Sequence, residues 1–238
     1  MVEVMELKTK IFADGADLAQ IAQLCRNPLI RGFTTNPTLM RKAGVTDYEA
    51  FARAAIELVG ERPISLEVFS DEFEDMERQA RRIATWGPNV YVKIPVTNTR
   101  REPADELVQR LSEANVKINV TAILTLDQVK RIAGRVASGA PSIISIFAGR
   151  IADTGVDPVP FMRTALGYVR DHKSIEIIWA SPREILNIVQ ASEIGCHIIT
   201  VTSDLLAKLG LLGRDLADYS LDTVKMFHAD AGAAGYKL

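Results

Sequence analysis

The chain has 238 residues, 47% of them hydrophobic, with 28 Lys and Arg against 30 Asp and Glu. A formal net charge of −2 supplies no basic field for nucleic acid, and no apolar run approaches the roughly 18 residues of a membrane span. Cys25 and Cys196 show no CxxC spacing, and the opening residues carry no basic stretch followed by an apolar one, so a reduced, cytoplasmic chain is expected.

Short runs rich in Val, Ile and Phe recur at 10–14, 32–36, 64–69, 90–95, 117–122, 142–148, 175–180 and 197–201, and read as strands. Amphipathic stretches at 48–59, 71–85, 104–114, 126–136, 160–170 and 183–192 read as helices, with apolar residues at i, i+3, i+4 and i+7. Gly60, Gly87 and Gly195 fall at expected helix ends, and Ser181-Pro182-Arg183-Glu184 predicts a helix start with proline just inside it. Alternating β and α units imply parallel strands joined by right-handed crossovers. Eight units predict a single (β/α)8 barrel, a TIM barrel, as one domain over 1–238. Pattern alone leaves a doubly wound open sheet possible, but no Gly-rich dinucleotide motif or Walker loop is present.

Beyond the eighth strand lie segments 203–209, 211–217 and 220–230, then a tail to 238. Ser220-Leu221-Asp222-Thr223 predicts the start of an extra C-terminal helix, about 220–231, with Val224 and Phe227 on an apolar stripe. That stripe needs a surface, on the chain's own barrel or on a neighbouring subunit.

Within Tyr91-Val92-Lys93-Ile94-Pro95-Val96, alternation puts Lys93 opposite Val92, Ile94 and Val96. If both faces of a parallel strand are covered, Lys93 is interior. Desolvating an ammonium costs several kcal/mol, and burial favours the neutral amine, a nucleophile towards carbonyls. The alternative is a packed stem with a head that reaches water. The same alternation places Asp14, Asn36, Glu67, Asn119, Thr121 and Ser145 near the C-terminal ends of strands, with Phe147 alternating after Ser145; barrel enzymes keep their chemistry at that end.

Each residue has a plainer explanation. Asp14 could cap the next helix, Asn36-Pro37 is an ordinary turn dipeptide, Glu67 could pair with Lys93, and Thr and Ser are common in strands. Together they would be a costly core, because each buried polar group needs a partner. Arg150 after strand six, and Ser181 with Arg183 after strand seven, suit an anion the size of phosphate. His172, His197 and His228 have no metal-ligand spacing.

The segments Thr34-Thr35-Asn36-Pro37-Thr38-Leu39, Val92-Lys93-Ile94-Pro95-Val96-Thr97, Asn119-Val120-Thr121, Phe147-Ala148-Gly149-Arg150-Ile151 and Ala180-Ser181 resemble the transaldolases, in particular the short subfamily that includes fructose-6-phosphate aldolase. The resemblance implies Schiff-base chemistry on sugar phosphates without metal or cofactor. Lys93 is then the nucleophile, Asp14 the acid–base, and Glu67 with Thr121 the holders of a water. Asn36, Asn119 and Ser145 bind donor hydroxyls, and Arg150, Ser181 and Arg183 bind phosphate. Glu67 and Phe147 match the transaldolases; the aldolases carry glutamine and tyrosine there. The resemblance also implies a ring-like homo-oligomer, a pentamer or decamer, whose terminal helix packs on a neighbour. One departure stands out: the family's Ala-Ser-Phe followed by Arg or Lys is here Trp179-Ala180-Ser181-Pro182-Arg183, which leaves Arg183 without a clean match and predicts that Trp179 narrows the donor pocket.

Overall fold

The computed structural model describes residues 7–136 and 138–237. The opening residues read for a secretory signal lie outside the described residues, as does the last residue of the tail.

Strands β1 (Lys10–Asp14), β2 (Ile30–Thr34), β3 (Ile64–Glu67), β4 (Val90–Pro95), β5 (Ile118–Ile123), β6 (Ser142–Ile146), β7 (Ile175–Trp179) and β8 (Ile198–Thr202) pair in sequence order. Strand β8 pairs back in parallel with β1, Lys10 opposite Ile198 and Asp14 opposite Thr202, so the sheet is a closed barrel. The open-sheet alternative is thereby eliminated.

Helices α1 (Leu18–Leu24), α2 (Pro37–Lys42), α3 (Tyr48–Val59), α4 (Phe73–Ala84), α5 (Asp105–Glu113), α6 (Leu126–Val136), α7 (Ala148–Ala152), α8 (Pro158–Val169), α9 (Leu186–Glu193), α10 (Ser203–Leu206) and α11 (Leu216–Ala234) follow or flank the strands. The long helices carry the expected apolar faces. In α3, Phe51, Ala52, Ala55 and Val59 are buried at helical spacing, Asp47 caps the first turn, and Gly60 ends it with φ 61°. The short helices α1, α2, α7 and α10 have too few turns to show a period, and the sequence pattern did not mark them.

Local chemistry explains where the bounds differ from expectation. Strand β2 runs two residues earlier because Asn36 caps α2, taking the Leu39 N–H on its side-chain oxygen at 3.0 Å, with Pro37 at the first helical position. Asp14 is not a cap; Asp17 caps α1. Phe147 and Ala148 leave β6 to begin α7. Ser181-Pro182 does not start a helix. Ser181 has φ 57°, and α9 begins only at Leu186. Pro at a first helical turn and Pro in a tight loop look alike in sequence.

Two apolar layers result. Val92, Ile94, Ile118, Val120 and their counterparts pack outward against the helices, fully buried. Inside the barrel Phe12, Ile143, Ile178 and Ile198 form a second cluster, with Tyr91 packed against it. Phe12, Tyr91, Ile143 and Ile198 each precede by two an inward residue of the polar mouth: Asp14, Lys93, Ser145 and Thr200. The apolar layer therefore closes the barrel beneath that mouth. Gly32 makes this possible, since a Cβ there would meet the Phe12 ring at 2.5 Å.

The terminal helix begins earlier than expected. Asp215 accepts from the N–H groups of Ala217 and Asp218 at 2.8 and 3.1 Å, so α11 starts at Leu216, not Ser220, and takes in the end of segment 211–217. It ends at Gly235, in the left-handed region at φ 68°. None of its residues is buried on the barrel. No helix of the described residues is long and apolar enough to cross a membrane.

Candidate active site

The C-terminal ends of the strands surround a cavity of about 680 Å³, and every site residue picked out from the sequence lines it. Barrel closure brings them together, since they come from strand ends far apart in the chain.

Strand register sets the central pair. Glu67 on β3 lies directly opposite Lys93 on β4. The Lys93 Nζ stands 3.7 Å from Glu67 Oε2, and the two side chains are only 13% and 6% exposed. Lys93 also donates to the backbone oxygen of Thr35. Its stem does not carry the head to bulk water, which removes the plainer explanation of this lysine. Glu67 Oε2 further accepts from the Thr35 hydroxyl at 3.0 Å, whereas buried Oε1 has no partner among the described residues. Burial raises the Glu67 carboxyl above the usual range, against the opposing pull of the Lys93 ammonium.

Asp14 ends β1 beside Thr34 of β2 and Thr202 of β8. Its Oδ1 accepts from the Thr34 hydroxyl at 2.7 Å and its Oδ2 from Asn36 Nδ2 at 3.3 Å. Thr34 meets the Thr200 hydroxyl at 2.5 Å. A hydroxyl has one proton, so with Thr34 donating to Asp14, Thr200 donates to Thr34. Burial also raises the Asp14 carboxyl; Lys93, Thr34 and Asn36 hold it down, in that order of strength. Two protonatable carboxyls therefore flank one amine.

On the opposite wall Asn119 donates to Ser65 Oγ at 3.0 Å and accepts from Ser145 Oγ at 2.7 Å, all three buried. This pins the carboxamide across β3, β5 and β6. Thr121 lines the cavity; among the described residues its hydroxyl makes one hydrogen bond, to Ile94 O at 3.4 Å, and none to Glu67. Ala122, which strict alternation along β5 would turn towards the helices, is exposed with φ 62°, where the β5–β6 register shifts.

At the far corner Arg150 lies on α7 with its guanidinium 5.6 Å from the centre of the Phe147 ring. It has no ion-pair partner among the described residues. Arg183 lies beside it in the cavity lining but is held by Asp153, its Nε donating to Oδ1 at 2.9 Å and its Nη2 to Oδ2. Gly149 could not be another residue: a Cβ there would stand 1.5 Å from the Ser181 carbonyl oxygen. Trp179 does not narrow the pocket. It is fully buried in the outer core and absent from the lining, because its position on β7 faces the helices.

Sequence reasoning passed over Thr34, Thr35, Thr200 and Asp153. The alternation that exposed Asn119 was also present around Thr200, flanked by Ile199 and Val201. Nothing local marks Asp153, whose partner lies thirty positions away.

Residues 11–237 match the family model described as transaldolase/fructose-6-phosphate aldolase. A protein of Dehalococcoides mccartyi named "Probable transaldolase" is 32% identical over 201 residues, covering 84% of this chain and 89% of its own. One of Listeria monocytogenes named "Probable transaldolase 2" is 36% identical over 203 residues, covering 84% and 88%. Among solved structures, 2,3-dimethylmalate lyase superposes with a TM-score of 0.57 at 10% identity, over 99% of this chain and 90% of that one, a likeness of fold alone. With its closed eight-stranded barrel and a match over nearly its whole length, the chain belongs to the transaldolase/fructose-6-phosphate aldolase family, enzymes of the transferase and aldolase type.

Proposed function

We propose that the chain is a Schiff-base transaldolase that moves a dihydroxyacetone unit from a ketose phosphate, sedoheptulose 7-phosphate or fructose 6-phosphate, to an aldose phosphate. The observation that carries this reading is an enclosed lysine, 13% exposed, 3.7 Å from Glu67, in one cavity with Asp14. A structural ion pair needs neither the second carboxyl nor the cavity.

Lys93 adds as the neutral amine to the donor ketone, and loss of water from the adduct leaves an iminium. Glu67 Oε1, buried and unpartnered, is a fitting acceptor for the water that leaves and later returns, with Thr121 on the same lining. Asp14 takes the proton from the hydroxyl next to the bond being cut, on the oxygen that only Asn36 contacts loosely. The bonding pair flows into the iminium, the aldose phosphate departs, and a dihydroxyacetone carbanion stays on Lys93. Attack on the acceptor aldehyde, with Asp14 returning its proton, reverses these steps. Asn36, Asn119 and Ser145 meet donor hydroxyls, and Arg150, Ser181 and Arg183 meet the phosphate. Phe147 carries no hydroxyl, so nothing at its position protonates the carbanion early. This favours transfer over free aldol cleavage. In this reading the chain is one cytoplasmic barrel domain that assembles into a homo-oligomeric ring of five or ten subunits through α11, whose unburied apolar side chains support it.

Borohydride added with fructose 6-phosphate is expected to inactivate the protein and add one reduced three-carbon or hexose phosphate mass to the Lys93 peptide. Lys93→Met takes up none. An adduct on another lysine, or none with either ketose phosphate, removes the proposal. In samples without borohydride, release of free dihydroxyacetone in the absence of an acceptor should be at least about tenfold slower than transfer in its presence.

A further inference from the structure

Arg183 is the residue whose match to the family was least clean, yet the fold holds it from several sides. Its backbone N–H and that of Glu184 donate to the Asn187 side-chain oxygen at 2.8 and 3.2 Å. The preceding turn is locked onto α7: Gly149 N–H donates to Ala180 O at 3.2 Å, and Ser181 takes its left-handed conformation against a glycine that has no room for a Cβ. The tip of Arg183 is held by Asp153 through Nε and Nη2. Asp153 caps the C-terminus of α7, three residues beyond Arg150, and it does not line the cavity although Arg183 does.

A guanidinium has five N–H donors, and Asp153 engages one edge of it. Three donors remain, including both on Nη1. Both side chains are about half exposed, 49% and 52%, and ion pairs so exposed add little to stability. The pair therefore calls for another explanation. A long arginine side chain loses considerable rotamer freedom when it docks on an anion, and holding it beforehand removes that loss from binding.

We propose that Asp153 is a positioning residue for the substrate phosphate, gripping Arg183 from outside the cavity so that its free N–H groups stand ready beside Arg150. This rests on the sugar-phosphate reading of the cavity. With Asp153 ionised the three side chains sum to one positive charge, and both guanidiniums stay available to a phosphate dianion. The Arg183 hydrogen bonds hold the Asp153 carboxyl below the usual range, so this grip persists well into acid.

The full-length chain is assayed with inorganic phosphate as a competitive inhibitor, and with fructose 6-phosphate and unphosphorylated fructose as donors. Asp153→Ala is expected to weaken phosphate inhibition and raise KM for fructose 6-phosphate about five- to tenfold, with kcat within about twofold. Its kcat/KM for fructose should move less than about twofold, an asymmetry that general damage to the barrel would not produce. Asp153→Asn, nearly isosteric and still an acceptor for Nε, is expected to fall between the two and carries the test if the alanine variant folds poorly. The double variant Asp153→Ala with Arg183→Ala should bind phosphate no worse than Arg183→Ala alone, because the first residue acts through the second. The proposal is overturned if Arg183→Ala weakens phosphate while Asp153→Ala and Asp153→Asn leave it unchanged or tighten it, or if the two losses simply add. If Arg150→Ala and Arg183→Ala both leave phosphate inhibition intact, the phosphate reading of the cavity falls, and this proposal with it.

Discussion

Asp14, proposed above as the acid–base group, is pulled in two directions by its surroundings. Enclosure raises it, while the Thr34 hydroxyl, itself receiving a proton from Thr200, stabilises the ionised form through Oδ1. A hydrogen bond to a charged group is worth about 1.5–3 kcal/mol, or about one to two pH units of carboxyl acidity. Thr34→Val should therefore push Asp14 higher still. A higher carboxyl value means the base form is lost at a higher pH, so the acid limb of the kcat/KM profile should move upward by about one unit. Thr34→Ser, which keeps the donor, should restore it. An acid limb that stays in place in the valine variant would separate Asp14 from the rate-determining proton transfer. The alternation of polar and apolar side chains made Lys93, Glu67, Asn119 and Ser145 legible in the sequence. Thr34 and Thr200 obey the same alternation, but threonine is so ordinary in strands that only their 2.5 Å contact reveals the chain of hydroxyls.

Among the elements, α11 is the anomaly. Leu221, Val224 and Phe227 recur every three residues and are 51%, 60% and 63% exposed, on a nineteen-residue helix with no buried position. A helix stripe of that kind gains its stability from a partner surface. If α11 joins subunits as proposed, Phe227→Asp is expected to give single chains in light scattering, with near-native circular dichroism from the intact barrel. An unchanged mass would show that α11 does not hold subunits together. The sequence disclosed that an apolar helix remained after barrel closure but misplaced its start, because Asp215 and Ser220 are equally good capping residues and only the folded chain shows that Asp215 makes the cap. The helix start after β7 failed for a related reason: Pro182 follows a left-handed Ser181, a backbone state no composition rule announces.

Over the whole molecule, titrating groups at the two ends of the barrel act in opposite senses. Burial raises Asp14 and Glu67 in the mouth, so the folded state holds their protons more tightly than the unfolded chain. Their contribution to stability is present in acid, below about pH 4, and is lost as pH rises through their folded values. At the other end His197 accepts the Ile177 N–H on Nδ1 at 3.0 Å, in a pocket with Lys10 and Glu176. Burial, the largest influence, lowers it; Glu176 opposes and Lys10 assists. Its contribution is present above about pH 6.5 and is lost as pH falls through its folded value. His197→Asn, which keeps an acceptor but cannot titrate, should flatten the fall in Tm on acidification below about pH 6.5. A variant with the same acid sensitivity as the parent would exclude this histidine as its source.

Periodicity along the chain was enough to specify eight βα units and to turn a lysine inward, because burial of apolar faces dictates both and acts at short sequence range. Which groups meet at the mouth was decided by closure of the barrel. Register sets Glu67 against Lys93, adjacency of β1, β2 and β8 links Asp14 to Thr34 and Thr200, and the packing of α7 beside the loop after β7 brings Asp153 to Arg183. Such contacts join residues twenty to nearly two hundred positions apart, so their energies have no local trace in the sequence and exist only once the sheet has closed on itself.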